Sequence, residues 1–536
     1  MFAEISADRH VRAGALVGIA MGALIGVGDG AGGVMRGVIA GAMPRASAMS
    51  EAVADPEIRK NQLNKQIDAA FDKSDYVLAE SLLRELIKID GENFVPWYNL
   101  ACALSMQGRT QDAGPALEKS IELGFSDLGA LQSDPHLVAV RRTSNYRKIV
   151  ASWNAILDAR IESNLQAIKK TYGPSYTAER DESLRLAYVS AFAPGSFENA
   201  KKEVKQLTQW WEATVATPVT GPTGGAAGVP GGAAGDAKNV PWVLVVLPSK
   251  ADYQKWAMAK FGSRWQQIGG SYSHDEKKLV AKDIGSTLRH EYWHVLHWRD
   301  MTSRRQQHPI WIMEGLCSLP EDIEITPDGS MKPIGSWRTN QARKLAVSGN
   351  LMPWDRLFEV QQKQFIGSRP LAYYAQARCV FLFLWNRGKL KAWYEAYTAG
   401  YAEDPSGKAA MEKMFGKPLK DVQKEYAAWL RSLPVAPEEF RRGDAVLPFD
   451  LEEGEGDGVV VSTTALLTPR DDRRGSPRDR GGIRFRDVIT AIDDKPVREI
   501  GELIQVLAPY MPGAEVEVSY RRGRTEGTAK VKLVAY

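Results

Sequence analysis

Cysteine is scarce: Cys102, Cys317 and Cys379 are the only three in 536 residues, and they lie far apart. That excludes a disulfide-stapled scaffold, and without a CxxC pair there is no dithiol redox motif or structural zinc ribbon. Buried free thiols are expected instead. An excess of one charge is also lacking, since 69 Lys and Arg against 65 Asp and Glu leave a net charge of +4. So balanced a surface gives no ground for nucleic acid as a partner. Long apolar runs are missing beyond the N-terminus, and no later stretch is expected to cross a bilayer. What is present, 44% hydrophobic and 25% charged residues, is the composition of soluble globular domains, and the length suggests about two to four of them.

Residues Ala13 to Gly28 form an uncharged, Gly-rich apolar run after Arg9 and Arg12. The run is short for a membrane span and long enough for the apolar core of an export signal. Ala46-Ser47-Ala48 fits a cleavage pattern, and Asp29 and Arg36 interrupt any longer span. Residues 1–60 therefore read as a signal or anchor with a linker. An exported protein is expected, periplasmic, envelope-associated or secreted, with membrane attachment through the N-terminus left open. The alternative is a plain N-terminal extension on a cytoplasmic chain.

Residues 61–150 carry a helical pattern with a repeat. Trp97, Leu100, Ala101, Leu104, Gly108, Ala113, Leu117 and Ser120 resemble a tetratricopeptide (TPR) unit, small residues allowing close helix approach and leucines filling the space between. A step of 34 residues back from Ala113 and Leu117 lands on Ala79 and Leu83, in a weaker preceding repeat. Residues 124–147 resemble the capping end of such modules. The resemblance implies either a partner-binding surface or a helical packing module.

Residues 151–440 are expected to form an α+β core. The pattern from 151 to 215 reads as helical, with an amphipathic run from Asn199 to Trp211. The Gly/Pro/Ala-rich segment 217–240 reads as a flexible loop, having too little apolar surface to offset its ordering entropy. Trp242 to Leu247 is a strand-length apolar run, and Tyr272 and Lys278 to Ala281 suggest further strands.

A helix over Ser286 to Arg299 then holds His290-Glu-Tyr-Trp-His294. Residues four apart share a helix face, so both imidazoles can converge on one ion, with Glu291 beside it as a base toward water. A catalytic zinc site needs a third protein ligand and an open fourth position. Pro309-Ile-Trp-Ile-Met-Glu-Gly-Leu316 supplies Glu314, twenty residues after His294. The two motifs together resemble the HExxH…WxxEG signature of gluzincins, the thermolysin-type, peptidase-MA-like zinc metallopeptidases. The resemblance implies zinc (Zn2+) as cofactor, His290, His294 and Glu314 as ligands, and Glu291 as general base.

Pro370 to Leu384 resembles the helix that follows the site in such proteins, and it offers Tyr374 as an oxyanion donor or as aromatic packing. Ser318 stands where related enzymes place an acidic residue orienting a histidine; Glu321 or Asp322 can substitute. His297 is rotated off the ligand face and reads as a satisfied or outer-sphere histidine, while His274 and His308 read as surface or loop residues. Cys317 is expected to be packed rather than reactive.

Residues 444–536 change character. Gly458 to Val461, Asp487 to Ile492, Glu515 to Ser519 and Ala529 to Val534 read as strands around a helix from Glu499 to Ala508, with turns at Pro512-Gly513 and Arg522-Gly523. Ile483, Phe485-Arg-Asp-Val-Ile489 and Asp493-Asp-Lys-Pro-Val497 resemble a bacterial-type PDZ domain, with Arg486 where glycine is usual and an exposed loop at 467–474. The peptide-binding edge, where a peptide C-terminus adds as a strand, is placed near Leu447, Pro448 and Phe449.

The whole reads as a multidomain chain: an α-helical repeat module, an α+β zincin-like core and a β-rich PDZ domain. The expected function is zinc-dependent hydrolysis of peptide bonds in protein or peptide substrates. The alternative is a catalytically silent scaffold binding protein partners through its helical repeats and PDZ domain. An aminopeptidase would need an acidic anchor for a free amine, and no such motif precedes His290.

Overall fold

The computed structural model describes residues 56–218, 237, 240–247, 250–261, 269–274, 276–326, 329–367, 369–463 and 482–536. The signal or anchor segment before residue 56, most of the Gly/Pro/Ala segment and the loop at 467–474 lie outside the described residues. Among those described, no helix is long and apolar enough to cross a membrane. The chain forms two compact units, one reaching Ile156 and one running from Leu157 through Tyr536.

In the first unit, α1 (Pro56–Asp72), α2 (Tyr76–Asp90), α3 (Phe94–Met106) and α4 (Thr110–Leu123) pack in chain order. The positions 34 apart do equivalent work: Ala79, Leu83, Ala113 and Leu117 are all fully buried. Ala101, Leu104 and Ser120 are buried with them, as small residues at helix contacts require. Gly108 turns the chain between α3 and α4 at φ 77°, a conformation open to glycine at little cost. Beyond α4, α5 (Leu128–Ser133) and α6 (Ser144–Ala151) close the unit. Asp134 knits this end together by accepting from Tyr98 Oη at 3.0 Å and from the His136 amide at 2.9 Å.

The second unit starts within α7 (Trp153–Tyr172) and contains a five-stranded sheet. Its strands are β1 (Thr177–Asp181), β2 (Leu186–Ser190), β3 (Trp242–Val246), β4 (Gly270–Ser273) and β5 (Lys278–Ala281), in the order β1-β2-β3-β5-β4. β2, β3 and β5 run parallel, while β1 and β4 are antiparallel edges. The helical reading of 151–215 is thus corrected: it holds two strands between helices. Leu186 to Ser190 is a continuous buried run, which a five-residue window cannot tell from a buried helix turn. Its partner β3 lies more than fifty residues away.

Alternation along the sheet splits two apolar faces. Ala187, Val189, Val243, Val245 and Val280 pack with Ile161, Leu165 and Ile168 of α7 and with Tyr253 and Ala257 of α9 (Lys250–Phe261). The opposite face meets α8 (Pro194–Thr214) and α10 (Ser286–Arg304), with Tyr188 edge-on to Phe197 and Trp242 edge-on to Trp298. α10 is buried from Thr287 to His297 on all sides, including Leu288, Val295 and Leu296. Trp210 and Trp211 of α8 clasp Trp293 at ring distances of 4.9 and 5.3 Å.

A helical layer follows: α11 (Ile310–Cys317), the hairpin β6 (Ile323–Ile325) and β7 (Met331–Pro333), α12 (Trp337–Val347), short α13 (Trp354–Leu357) and α14 (Gln362–Phe365), and then α15 (Pro370–Asn386), α16 (Leu390–Ala399), α17 (Lys408–Phe415) and α18 (Leu419–Ser432). α11 meets α15 with no room to spare. A Cβ on Gly315 would lie 2.7 Å from the Ala377 carbonyl oxygen and 2.9 Å from its Cβ. Gly315→Ala is therefore expected to destabilise the protein by about 1–3 kcal/mol through overpacking, read by denaturant unfolding; an unchanged midpoint contradicts this packing.

The C-terminal part is β-rich. β8 (Ala445–Val446) pairs with β15 (Val534–Ala535). β9 (Asp450–Glu453), β10 (Val459–Thr463), β11 (Val488–Ile492) with β12 (Lys495–Pro496), β13 (Glu515–Arg522) and β14 (Thr525–Lys532) form an antiparallel sheet in the order β14-β13-β11-β10-β9. α19 (Ile500–Leu507) lies between β12 and β13 in sequence and places Leu503 and Leu507 in a core with Val459, Ile489 and Val518. Asp493 and Asp494 adopt φ 46° and 62°, as a two-residue hairpin turn demands. The Asp493 carboxylate secures that turn by accepting from Tyr510 Oη and the Glu517 amide, each at 2.7 Å. Arg486 sits at φ 66°, so Arg486→Gly is expected to stabilise this part by about 1 kcal/mol, seen as a raised Tm; a lowered one would contradict it.

Candidate metal centre

α10 projects His290, Glu291 and His294 inward, and α11 brings Glu314 opposite them. His290 Nε2 and His294 Nε2 are 3.0 Å apart, and Glu314 Oε2 lies 3.4 and 3.6 Å from them. Ligand atoms about 2.0–2.1 Å from a tetrahedral zinc ion would be separated by about 3.3–3.4 Å. The three atoms therefore already outline one face of such a tetrahedron. All three residues are buried, and Glu314 Oε2 accepts no hydrogen bond of good geometry. A buried carboxylate oxygen facing two imidazole nitrogens fits a divalent cation by both charge and donor type.

Electrostatics at the site follow from burial and mutual contact. Burial alone would lower the His290 pKa, but contacts with Glu314 and Glu321 outweigh it and raise the ring from 6.5 to about 10. Burial also opposes ionisation of Glu314, yet His294 and His290 hold it down to about 2. His294 itself is lowered, mainly by burial. Glu291, fully buried, is pushed well above the ordinary carboxylate range by burial first, then opposed by His290 and reinforced by Glu314 and Glu321. In the metal-free chain the raised His290 contributes stability that is complete below pH 6.5 and fades as pH rises toward 10. A metal must displace its proton. Uptake at pH 7–8 is expected to release about one to two protons, one from His290 and up to one from Glu291, measured as the buffer dependence of the binding heat; proton-neutral uptake would contradict this charge state.

The surroundings explain how the clustered side chains are held. Glu321 Oε1 lies 2.7 Å from His290 Nδ1, in a contact bent from the ideal hydrogen-bond direction. Arg338 grips the same carboxylate at 2.6 and 2.9 Å and, despite burial, helps hold its pKa at about 2. Ser318 does not do this. Its hydroxyl donates back to the Glu314 carbonyl at 2.7 Å, and its own carbonyl accepts from Arg378 at 2.8 Å. The carboxylate beside His290 Nδ1 is that of Glu321, one of the two acidic residues expected to substitute for Ser318, across the turn after α11.

β4 brings two contacts that sequence spacing did not reveal. Tyr272 stacks on His294 with ring centres 4.4 Å apart and planes 10° from parallel. A Cβ on Gly270 would sit 2.8 Å from Glu291 Cγ. The signal was present, since a glycine inside a strand often marks such a close approach.

Tyr374 lies at the same place, buried, 5.2 Å below the Arg338 guanidinium. Burial, with Glu314 next among the causes, raises its hydroxyl well above the usual phenol range, so it keeps its proton. His297 is not among the clustered ligands. It is fully buried, with Nε2 2.8 Å from His308 Nδ1, and His308 Nε2 is 3.1 Å from Gln306 Oε1. His308 is therefore a core residue, 2% exposed, correcting its reading as a surface or loop histidine. Tyr394, Tyr397 and Tyr401 enclose it. Cys102, Cys317 and Cys379 are buried and free, and burial pushes the Cys317 thiol up.

At the C-terminal part, Leu447 and Phe449 point into the core and Pro448 lies between them half-buried. The sheet edge is formed one residue later by β9, Asp450–Glu453, which pairs with β10 on one side and is last in the sheet order. Leu447 to Phe449 lead directly into that edge strand, with the Leu447 and Phe449 side chains in the core.

These features define a chain with a helical N-terminal part, an α+β layer bearing a buried His2Glu cluster, and a β-rich C-terminal domain. The PDZ domain family matches residues 457–533. A probable periplasmic serine endoprotease DegP-like from Rhizobium meliloti (strain 1021) is 31% identical over 85 residues, covering 16% of this chain and 16% of that protein. The chain thus spans about a sixth of that relative's length. An aminopeptidase N family protein from Idiomarina loihiensis aligns over 67% of each chain at 10% identity, with a TM-score of 0.27.

Proposed function

We propose that this protein is a zinc-dependent peptidase of the gluzincin type. The observation that carries the reading is the convergence of His290 Nε2, His294 Nε2 and Glu314 Oε2 at 3.0–3.6 Å from two successive helices, His294 and Glu314 being 20 residues apart in sequence. Glu291 lies on the same helix beside them. When bound, zinc supplies Lewis acidity toward a water and a substrate carbonyl. Glu291 takes the proton of the attacking water and passes it to the leaving amine. Its raised pKa in the metal-free chain fits a carboxylate that exchanges a proton rather than one locked in a salt bridge. Tyr374, protonated and beside Glu314, serves as donor to the developing oxyanion. β4 is the terminal strand of its sheet, and a substrate chain adding to it would run past Glu291 and His294.

The substrate class follows from the accompanying domains. PDZ domains bind peptide or protein partners, most often a chain terminus added to a sheet edge, which suits a peptidase acting on proteins. The helical hairpins of the first unit, read as TPR units, add a surface for a protein partner. The periplasmic location in the name of the DegP-like relative agrees with the export pattern at residues 13–48, and a site outside the cytoplasm belongs to the same proposal. The purified chain, loaded with zinc, should cleave casein or a peptide library and stop on chelation. Full zinc occupancy with no cleavage of any such substrate would favour the silent scaffold instead.

A further inference from the structure

The helix carrying the candidate ligands is gripped by the PDZ domain. Arg289, immediately before His290, donates to Glu203 Oε1 of α8 at 3.0 Å and to Glu502 Oε1 of α19 at 2.8 Å. Arg498, just before α19, pairs with Glu203 in turn, and its amide donates to Glu502 Oε2 at 2.9 Å. Two cations and two anions thus form a neutral square whose side chains are only 4–17% exposed. The start of α10 is held from the same side. The Ile284 amide donates to the Gly456 carbonyl at 3.1 Å, and a Cβ on Gly285 would meet Arg498 Cδ at 2.9 Å.

The square reaches the ligands through one residue. Arg289 also donates to the main-chain carbonyl of Glu321 at 2.6 Å, and the Glu321 carboxylate is the group 2.7 Å from His290 Nδ1. The contact fixes where the Glu321 backbone sits, while Arg338 fixes its carboxylate. A carboxylate oriented in this way sets the direction of a histidine ligand. Helix propensity and core packing would be served equally well by an apolar residue at 289. Burying an arginine instead costs desolvation unless every partner is present.

We infer that Glu502 is a positioning residue for the candidate metal centre, so that the PDZ domain is part of the site and not only a peptide-binding appendage. This rests on the metal-site reading above. The test uses the full chain, with Zn2+ and Co2+ affinities measured by chelator competition and the Co2+ ligand-field spectrum recorded. Glu502→Gln keeps the shape and removes the charge, and a fall in affinity of about 3- to 30-fold is expected, with a shifted Co2+ band. If that variant does not fold, Glu502→Asp, which withdraws the carboxylate by one methylene, should show the same fall. Asp487→Asn removes a carboxylate that pairs with Arg522 inside the PDZ domain; it should lower PDZ stability and leave affinity within about twofold of wild type. Unchanged affinity and spectrum in the folded Glu502 variant, or an equal loss in Asp487→Asn, would overturn the inference. A wild-type chain that takes up no metal would overturn the underlying site reading instead.

Discussion

Glu291→Gln should keep the metal and lose hydrolysis by about 10²- to 10⁴-fold. The amide has nearly the shape of the carboxylate, so the space beneath Gly270 stays filled; a Cβ there would already lie 2.8 Å from Glu291 Cγ. What disappears is the ability to accept a proton. Glu291 is not one of the three clustered ligand residues, so zinc stoichiometry should be unchanged. The amide also removes a carboxylate whose ionisation burial opposes, so stability should not fall. Activity of the purified variant within twofold of wild type, with zinc bound, would mean that Glu291 is not the base.

Glu321→Gln should weaken zinc binding by about 10- to 100-fold, the usual cost of losing the partner that orients a ligand histidine. Two effects combine. The amide no longer stabilises a His290 ring whose Nδ1 carries the proton, and it pairs less well with Arg338, now held at 2.6 and 2.9 Å by the carboxylate. A buried arginine left short of an anion is costly, so a lower Tm should accompany the lost affinity. Ser318→Ala provides the contrast, since its hydroxyl bonds only back to the Glu314 carbonyl within the same helix end. Its zinc affinity should stay within about threefold of wild type. Equal losses in the two variants would return the orienting role to Ser318.

Much of the site was legible because its chemistry is local in sequence. His290 and His294 share a helix face by spacing alone, and a motif with its own carboxylate follows at a distance that suits a second helix. The groups that finish the site were harder to see for a physical reason. Glu321 acts across a turn, and Tyr272 and Gly270 reach the site from an edge strand whose position depends on sheet order. Arg289 carries no signal of its own in the sequence. Its partners Glu203 and Glu502 lie 86 and 213 residues away in sequence, beyond any periodicity. The same limit hid β2, a short strand fixed by pairing with the distant β3, and β1, which pairs with β2 in turn. In the PDZ domain, alternation and turn residues placed most strands, and the Leu447 to Phe449 segment leads directly into the edge strand β9.

The central claim is that His290, His294 and Glu314 hold one zinc ion. The most direct test is metal analysis of the full-length chain, stripped with chelator and reloaded, beside His294→Ala and Glu314→Ala treated alike. The account predicts about one zinc per wild-type chain, retained through buffer exchange, and near-complete loss in both variants. A wild-type chain that retains no zinc, or variants that retain it at wild-type stoichiometry, would contradict it.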